Sequence, residues 1–425
     1  MNRTLYSILV TLLTPLLVVY LLLRSRKDPS YRLRWGERFG VTRLLPSQVL
    51  IHSVSMGETL AAVPLIRQLL SAYPGYRLTL TTSSPAGSAQ VLKAFAAEIQ
   101  QGRVQHVYLP FDIPLAIHRF IKQLAPKLVI IMETELWPNL IHYSHQAGAK
   151  VVLANGRLSE KSAQKYHKQI TLVAPMLKQL AAIAVQTPAE AERFIELGVK
   201  DERISVCGSL KFDLNIDAKR QAASAELRRH WQKDKAPVWV AGSVHPGEFA
   251  AMIEAHQLVL AQYPAALMIL VPRHPEQFAL AAQTLAAAGF KVARRSQQTD
   301  ITAHTQVLLG DTMGELLDLY GCGDQAFVGG SLIVHGGHNP LEPAALGLAV
   351  YMGPNYRDFL EIGQLLQDAH NLTVVSSGEA LGQALLAKIA NPALRQQAGD
   401  AGLSVLAQNR GALDKQLALI KQLSA

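Results

Sequence analysis

The stretch Phe327-Val-Gly-Gly-Ser-Leu-Ile-Val-His-Gly-Gly-His-Asn-Pro-Leu-Glu-Pro-Ala-Ala-Leu-Gly347 passes from an apolar segment through a glycine-rich loop into a helix. Residues 326–328 predict a buried strand. Asn339 is a favourable N-cap, Pro340 suits the first helical turn, and Glu342 follows the cap by three residues. A helix N-terminus behind such a loop suits an anion or a ribose. The alternative is that Asn339 and Glu342 only cap the helix.

The same alternation of strand and helix extends outward from this stretch. In the first half we predict strands at 49–54, 76–81, 105–109, 128–132, 150–154, 182–186 and 204–207. In the second half we predict them at 238–241, 266–271, 307–309, 326–328 and 350–352. Short apolar strands separated by helices predict βαβ units and parallel sheets. Because 425 residues are too many for one compact domain, two such domains are expected.

The N-terminal segment predicts a membrane helix. Residues 4–23 are almost all apolar, which is long enough to span a bilayer. Most of the flanking charge follows the segment, so we expect the main body on the cytoplasmic side of the inner membrane. The basic residues in this flank are Arg24, Arg26, Lys27, Arg32, Arg34 and Arg38. A signal peptide would carry its charge mostly before the apolar run, and a shallower interfacial helix is the remaining alternative.

The amino-acid composition limits the kinds of partner that this protein is expected to bind. The formal net charge is +9, which favours an anionic partner such as a membrane, a nucleic acid or a phosphorylated substrate. Only Cys207 and Cys322 are present, so the sequence contains no disulfide framework and no cysteine metal site.

Polar residues just after the strands of the first half are candidates for catalysis, since ligands bind beyond the carboxyl ends of parallel strands. Glu58 opens a helix, where the positive end of the helix should keep its carboxylate ionised and able to accept a proton. Glu133 follows a buried strand directly and is expected to point into a cleft. Lys211 suits a phosphate or a carboxylate, although a lone lysine is more often a surface residue. A basic helical stripe suits an anionic acceptor, and it consists of Arg157, Lys161, Lys165 and Lys168.

The strand ends of the second half carry residues typical of a nucleotide site. Arg273 presents a guanidinium that suits a phosphate or a base edge, with a structural ion pair as the alternative. The other members of this set are Ser243, Met313, Gly314, Glu315, Asn339 and Glu342. We find no D-x-D, P-loop lysine or G-x-G-x-x-G motif, so no divalent metal is required. The pair His335 and His338 lacks a carboxylate at ligand spacing and is weak as a metal site.

Seven motifs together resemble the bacterial Kdo (3-deoxy-D-manno-octulosonic acid) transferases, and the resemblance covers nearly the whole chain. They are Arg34-Trp-Gly-Glu-Arg-Phe-Gly40, His52-Ser-Val-Ser-Met-Gly-Glu58, Met132-Glu-Thr-Glu-Leu-Trp-Pro-Asn139, Gly208-Ser-Leu-Lys-Phe-Asp213, Val271-Pro-Arg-His-Pro-Glu276, Gly310-Asp-Thr-Met-Gly-Glu-Leu316 and Gly336-Gly-His-Asn-Pro-Leu-Glu-Pro-Ala344. Small departures occur at Gly156, Val244 and Pro246, and they remove no presumed catalytic group.

The resemblance implies a GT-B fold, with two Rossmann-like domains facing a cleft behind an N-terminal anchor helix. It implies inverting, metal-independent transfer of Kdo from CMP-Kdo to the tetra-acylated lipid A precursor, with no cofactor and no nucleic acid partner. Glu58 would be the general base, and Glu133 and Lys211 would stabilise the transition state. The implied CMP contacts are Pro272, Arg273, Met313, Gly314, Glu315, Asn339, Pro340, Leu341 and Glu342.

The expected domains are an anchor at 1–25, an acceptor domain at 26–225 and a donor domain at 226–425, whose last helix could pack back on the acceptor domain. Two other functions remain open. One is a nucleotide-sugar epimerase or a UDP-sugar glycosyltransferase of the same fold. The other is a membrane-tethered binding protein without activity. The number of Kdo residues added cannot be read from the sequence.

Overall fold

The structure is a computed structural model that describes residues 1–26, 28–214, 216–297 and 301–424. Lys27, which we counted in the basic flank, lies outside these ranges. The chain forms two compact units, the first made of Met1–Asp213 and Arg410–Ala425 and the second of Leu214–Asn409. The chain leaves the first unit after Asp213, before the expected boundary at 225, because the helix that follows packs within the second unit.

Within its described residues, the first unit contains a parallel seven-stranded sheet in the order β3-β2-β1-β4-β5-β6-β7. The strands are β1 (Val49–His52), β2 (Leu78–Thr82), β3 (Val104–Tyr108), β4 (Leu128–Met132), β5 (Lys150–Gly156), β6 (Ala182–Val185) and β7 (Ile204–Val206). Strand β5 runs two residues further than the sequence predicts.

In this unit, helices precede the first strand and connect each strand to the next. They are α1 (Arg3–Arg24), α2 (Trp35–Arg38), α3 (Met56–Ala72), α4 (Pro85–Ala94), α5 (Ala96–Gln100), α6 (Pro114–Leu124), α7 (Pro138–Gln146), α8 (Glu160–Lys168), α9 (Ile170–Leu177) and α10 (Pro188–Glu196). Alternate strand residues enter two separate cores because successive side chains point to opposite faces of a sheet. One core contains Leu50, Val129, Ile131 and Val151, and the other contains Val49, Ile51, Ile130 and Val152.

The second unit contains another parallel seven-stranded sheet among its described residues, in the order β10-β11-β9-β8-β12-β13-β14. Its strands are β8 (Val238–Val244), β9 (Leu267–Pro272), β10 (Val292–Arg294), β11 (Val307–Leu309), β12 (Gln325–Val328), β13 (Ala349–Met352) and β14 (Leu372–Val374). Its helices are α11 (Ala218–His230), α12 (Phe249–Gln262), α13 (Phe278–Ala287), α14 (Leu316–Gly321), α15 (Leu341–Ala345), α16 (Leu360–Asp368), α17 (Gly378–Ala390) and α18 (Pro392–Asn409).

The last helix, α19 (Ala412–Ser424), belongs to the first unit and packs against α3 and β5. Ala412, Leu417 and Ile420 are buried in the core that also contains Val49. The Asp213 carboxylate accepts hydrogen bonds from the backbone N–H groups of Gly411, at 2.7 Å, and Leu413, at 2.6 Å. One carboxylate thus joins the points where the chain leaves and re-enters the first unit.

Helix α1 is long and apolar enough to cross a membrane, and only 11% of its most apolar window is buried. Both of its ends contact the first unit. At its start Tyr6 donates a hydrogen bond to Asp112, and Ser7 donates one to Asn139. At its end the Arg24 guanidinium lies 4.8 Å from the centre of the Tyr31 ring.

Candidate active site

The carboxyl ends of β1 and β4 form the centre of the candidate site in the first unit. These strands are neighbours, and the chain runs outward from them in opposite directions, so their loops diverge and leave a crevice. Glu58 follows β1 in the first turn of α3, and Glu133 follows β4 directly. The two carboxylates are close enough for the negative charge of Glu133 to raise the pKa of Glu58. The structure therefore brings together two residues that are far apart in the chain.

Glu58 belongs to a capping box. One carboxylate oxygen accepts from the Val54 N–H at 2.7 Å, and the other accepts from the Ser55 hydroxyl at 2.7 Å. Burial raises the pKa of the Glu58 carboxyl, whereas these hydrogen bonds act in the opposite direction. Our expectation that the helix start simply keeps this carboxylate ionised is therefore incomplete, because burial has the larger effect.

A second capping box in the same unit provides a comparison. Glu190 follows β6 in the first turn of α10 and accepts hydrogen bonds from Thr187 and Gln186. Glu190 is only 2% exposed, and it also accepts from the buried Leu158 N–H. Glu58 is half-buried and thus accessible. The two glutamates share one backbone role, but only Glu58 is open to a ligand.

Glu133 lies in the left-handed backbone region with φ of 54°, which is rare for a residue with a side chain. Its N–H donates to the Ala154 carbonyl at 2.9 Å, which continues the β4–β5 ladder and holds this conformation. The Lys211 Nζ lies 3.9 Å from the Glu133 Oε1, and both side chains are about four-fifths buried. Lys211 is therefore part of the carboxylate cluster and is not a lone surface lysine.

Glu135 is a member of this cluster that the sequence analysis missed. Burial raises its pKa to about 7, and the negative charges of Glu58 and Glu133 act in the same direction. Its sequence context gives no signal, since an acidic residue in a loop is usually exposed. Only its proximity to Glu58 and Glu133 identifies it as a site residue. The site thus holds three carboxyl groups and one ammonium group.

The basic stripe divides into two parts. Lys161 and Lys165 are exposed on α8, whereas Arg157 is half-buried at the end of β5. The Thr134 hydroxyl donates to the Arg157 carbonyl at 2.8 Å, which joins the loop after β5 to the loop that carries Glu133. The backbone of Arg157 is therefore linked to the loop that carries the carboxylate cluster.

In the second unit, the predicted donor residues lie at the carboxyl ends of neighbouring strands. Ser243 lies within β8 at a bulge with φ of 56°, and not in a loop after the strand as the sequence predicts. Pro272 ends β9, and the Arg273 N–H donates to the Val244 carbonyl at 3.0 Å. Burial lowers the pKa of the Arg273 guanidinium, while the charge of Glu342 acts in the opposite direction.

The helix in the opening stretch starts later than predicted. The N-cap is Pro340 and α15 spans Leu341–Ala345, so Asn339 is outside the helix. Its side chain still accepts from the Leu341 N–H at 3.1 Å, and its amide approaches Glu342 at 3.4 Å. Burial raises the pKa of the Glu342 carboxyl. Asn339 thus still caps the helix N-terminus with its side chain, although the helix begins two residues later, at Leu341.

Met313, Gly314 and Glu315 follow β11, which lies beside β9. Met313 is 55% exposed, and Gly314 has φ of 91°. Glu315 pairs with Arg295 at 2.9 Å and accepts from Thr312, which lowers the pKa of the Glu315 carboxyl. Glu315 also lines a cavity of about 550 Å³ within this unit.

Two further features escaped the sequence analysis. Glu248 is fully buried, and its carboxylate holds the glycine-rich loop after β12. His245 lies beside His335 and His338, and burial lowers the pKa of His245 to about 4 and that of His338 to about 3. The spacing of Glu248 after His245 signals a capping box, but no spacing reveals a contact across 82 or more residues.

Comparison with known proteins identifies the family. The model of the 3-deoxy-D-manno-octulosonic-acid transferase (kdotransferase) family matches residues 33–214. A 3-deoxy-D-manno-octulosonic acid transferase of Haemophilus influenzae is 42% identical, over 99% of this chain and 98% of the relative. The chain belongs to the Kdo transferase family. This confirms the resemblance drawn from the seven motifs.

Solved structures show the fold. A glycosyltransferase from Rickettsia africae matches with a TM-score of 0.52 and 14% identity, over 89% of this chain and 98% of that one. A UDP-GlcNAc 2-epimerase from Neisseria meningitidis matches with a TM-score of 0.54 and 12% identity, over 87% and 99%. The predicted GT-B fold is confirmed. As a Kdo transferase, the chain is a glycosyltransferase of lipopolysaccharide core biosynthesis. The fold alone could not have shown this, since an epimerase shares it.

Proposed function

We propose that this Kdo transferase moves Kdo from CMP-Kdo to the tetra-acylated, bis-phosphorylated lipid A precursor, with inversion and without a catalytic metal. Glu58 takes the proton of an acceptor sugar hydroxyl while that oxygen bonds to the anomeric carbon of Kdo. The bond from this carbon to the CMP phosphate oxygen breaks, and CMP leaves with the electron pair. Direct displacement of this kind inverts the anomeric centre.

The accessibility of Glu58 is the observation that carries this proposal. Glu58 and Glu190 occupy equivalent capping boxes, but Glu190 is sealed by protein donors. The raised pKa of Glu58 makes its carboxylate a better proton acceptor than an ordinary glutamate. Glu133 lies next to Glu58 and pairs with Lys211, and we assign Glu133 and Lys211 the stabilisation of charge in the transition state.

The donor site is proposed from the second unit. Arg273 and the backbone of residues 313–315 would hold the CMP phosphate as negative charge grows on it, and Asn339 to Glu342 would hold the nucleoside. Pro272 and Ser243 belong to the ends of β9 and β8, whereas Pro340 and Leu341 form the start of α15, and we assign all four to this donor site. The pKa effect of Glu342 on Arg273 supports a single site, because it requires these two side chains to be close.

The acceptor carries phosphates and acyl chains, and the first unit offers a match for each. Arg157, Lys161 and Lys165 would contact the phosphates. The leucines of α1 would enter the inner membrane, with both units on the cytoplasmic side. The start of α1 bonds to Asp112 and Asn139, and its end continues directly into the first unit. We therefore propose, instead of the predicted bilayer-spanning anchor, that this helix lies along the membrane interface.

The test compares Glu58→Gln with Glu190→Gln in purified enzyme, using CMP-Kdo and lipid A precursor and mass spectrometry of the product. Glutamine still fits a capping box, so Glu58→Gln should fold normally. We expect Glu58→Gln to lose about 10²- to 10⁴-fold in kcat, as loss of a general base does. We expect Glu190→Gln to keep its kcat. Wild-type turnover by Glu58→Gln would refute the assignment, and dialysis against EDTA should leave the wild-type rate unchanged.

A further inference from the structure

Three histidines of the second unit form a cluster whose use the proposed transfer reaction does not explain. His245 follows β8, whereas His335 and His338 belong to the loop after β12. One ring nitrogen from each lies within 4.8 Å of one from each of the other two. The Nε2 atoms of His245 and His338 are 2.9 Å apart, and the rings of His245 and His335 have centres 4.3 Å apart.

The cluster has a rigid side and an adjustable side. On the rigid side, the Glu248 carboxylate accepts from the N–H groups of His245 at 3.0 Å and Gly330 at 2.8 Å. It also accepts from Ser331 and Leu332, both at 3.0 Å, so it fixes both chain segments that carry the histidines. On the adjustable side, His335 is exposed and precedes two glycines with positive φ, Gly336 and Gly337.

Close packing against Gly330 holds the His338 ring in position. A Cβ at Gly330 would lie 3.1 Å from the His338 ring, a tight contact that the ring could accommodate only by shifting. Arg273 and His274 are the basic groups next to the cluster. Their positive charge disfavours a cation that has no accompanying anion. The Asp358 carboxylate packs against Gly336 and adds a negative group to the same loop.

The geometry is close to that of a three-histidine metal site. Zinc bound to imidazole at about 2.0–2.1 Å in a tetrahedron places its ligand nitrogens about 3.3 Å apart. The nitrogens here are at most 4.8 Å apart, and the exposed His335 ring can move to close the difference. A neutral imidazole that moves its N–H from Nε2 to Nδ1 exposes Nε2 as a ligand without losing a proton overall.

We propose that His245, His335 and His338 bind a transition-metal ion of the Zn²⁺ class, with a fourth position open to water or an anion. Three imidazoles without thiolate or carboxylate suit Zn²⁺, Co²⁺ or Ni²⁺ better than Mg²⁺ or Ca²⁺. This site does not depend on the proposed acceptor, donor or base, and the transfer reaction does not require the ion.

The test is direct binding of Co²⁺ to the full-length protein, purified without a histidine tag and freed of metal with EDTA. We expect one Co²⁺ per chain, with the visible absorption of a four- or five-coordinate ion, and displacement of that absorption by Zn²⁺. His335→Ala should weaken binding by at least about tenfold, because loss of even an outer-shell partner of a metal ligand costs about 10- to 100-fold in affinity. His335 is exposed, so this variant should fold. His304→Ala, which changes another exposed histidine of the second unit, is the matched control and should bind like the wild type.

Each possible result either supports or refutes the proposed metal site. A spectrum typical of octahedral hexaaqua Co²⁺, or equal affinity in the wild type and His335→Ala, would refute the site. Equal losses in His335→Ala and His304→Ala would show only nonspecific surface binding and would also refute it. The readout is metal binding, so failure of the proposed transferase mechanism would not change the result. Equally, absence of metal binding would leave the proposed transferase mechanism unaffected.

Discussion

Three residues near the two candidate sites, Glu133, Asn155 and Ser243, have positive φ although none is glycine. Such conformations cost of order 1 kcal/mol each and persist where the surroundings fix them. Ladder hydrogen bonds hold Glu133, and a bulge between neighbouring strands holds Ser243.

The close approach at Ser243 gives the first prediction. A Cβ at Gly329 would lie 2.4 Å from the Ser243 carbonyl oxygen and 2.7 Å from the Val244 Cα. Because both atoms belong to the backbone of β8, we expect Gly329→Ala to destabilise the second unit by about 1–3 kcal/mol. Thermal unfolding followed by circular dichroism measures this. Gly75→Ala, where nothing lies within 4 Å of the new atom, is the control, and an equal melting temperature in both variants would contradict the prediction.

Asp112 gives a prediction about pH. Burial raises its pKa from 3.8 to about 7, against hydrogen bonds from Asn139 and Leu140. Since the folded-state pKa is the higher one, the stabilisation from this group is complete below about pH 4 and is lost as the pH rises through 7.

We therefore expect the melting temperature of the wild type to fall between about pH 4 and pH 7 relative to that of Asp112→Asn, which cannot ionise. Unfolding measured in parallel for both proteins across this range checks the sign. A constant difference between the two melting curves would show that Asp112 has an ordinary pKa.

Sequence alone could find Glu58 and Arg273, because polar residues that follow buried strands are easily read. It could not find Glu248 or the contact of His245 with His338. Both depend on β8 and β12 being neighbours, although about 80 residues separate them in the chain. Strand order is a property of tertiary packing, and hydrophobic periodicity does not encode it.

At the scale of elements, the strands were predicted well because strands buried on both faces appear as continuous apolar runs. Strand β4 is buried at every residue, and β12 likewise. The two edge strands of the second sheet were not predicted from the sequence. Strands β10 and β14 lie at the two edges of the second sheet and are short and partly exposed, so they lack this signature.

Helix α1 gives a prediction at this scale. If it lies along the interface, a cysteine at its start and one at its end are on the same side of the membrane. Asn2→Cys in a protein lacking Cys207 and Cys322 should react with a membrane-impermeant maleimide only when the cytoplasmic face is accessible. Labelling from the periplasmic face would show that the helix spans the bilayer.

The apolar face of the same helix can be tested separately. Leu12 and Leu16 are 71% and 65% exposed, and water-exposed leucines on one helix face are typical of membrane contact. Leu12→Glu with Leu16→Glu should move the enzyme from the membrane pellet to the supernatant. The control pair, Leu394→Glu with Leu403→Glu, changes exposed leucines of α18 and should leave the protein in the pellet.

At the scale of the whole molecule, the first unit is completed by the end of the chain. Gln416 on α19 accepts from the Asn155 N–H at 2.9 Å, and the Asn155 side chain accepts from the Leu210 N–H at 3.0 Å. The C-terminal helix thus supports the loop that carries Lys211.

Truncation after Asn409 should therefore destabilise the first unit, because it exposes the core positions filled by Leu417 and Ile420. The second unit, expressed as residues 214–409, should remain folded and bind CMP. Calorimetry of both proteins and CMP titration of the fragment check this. A truncated chain that retains the full melting profile would show that α19 is dispensable.

The Asp213 carboxylate bonds to Gly411 and Leu413, and this has a practical consequence for gene design. A short glycine–serine bridge from codon 213 to codon 410 could replace the whole intervening sequence without stretching the backbone. Such a minimised gene would encode the first unit alone, onto which a different nucleotide-sugar module could be grafted at the same junction.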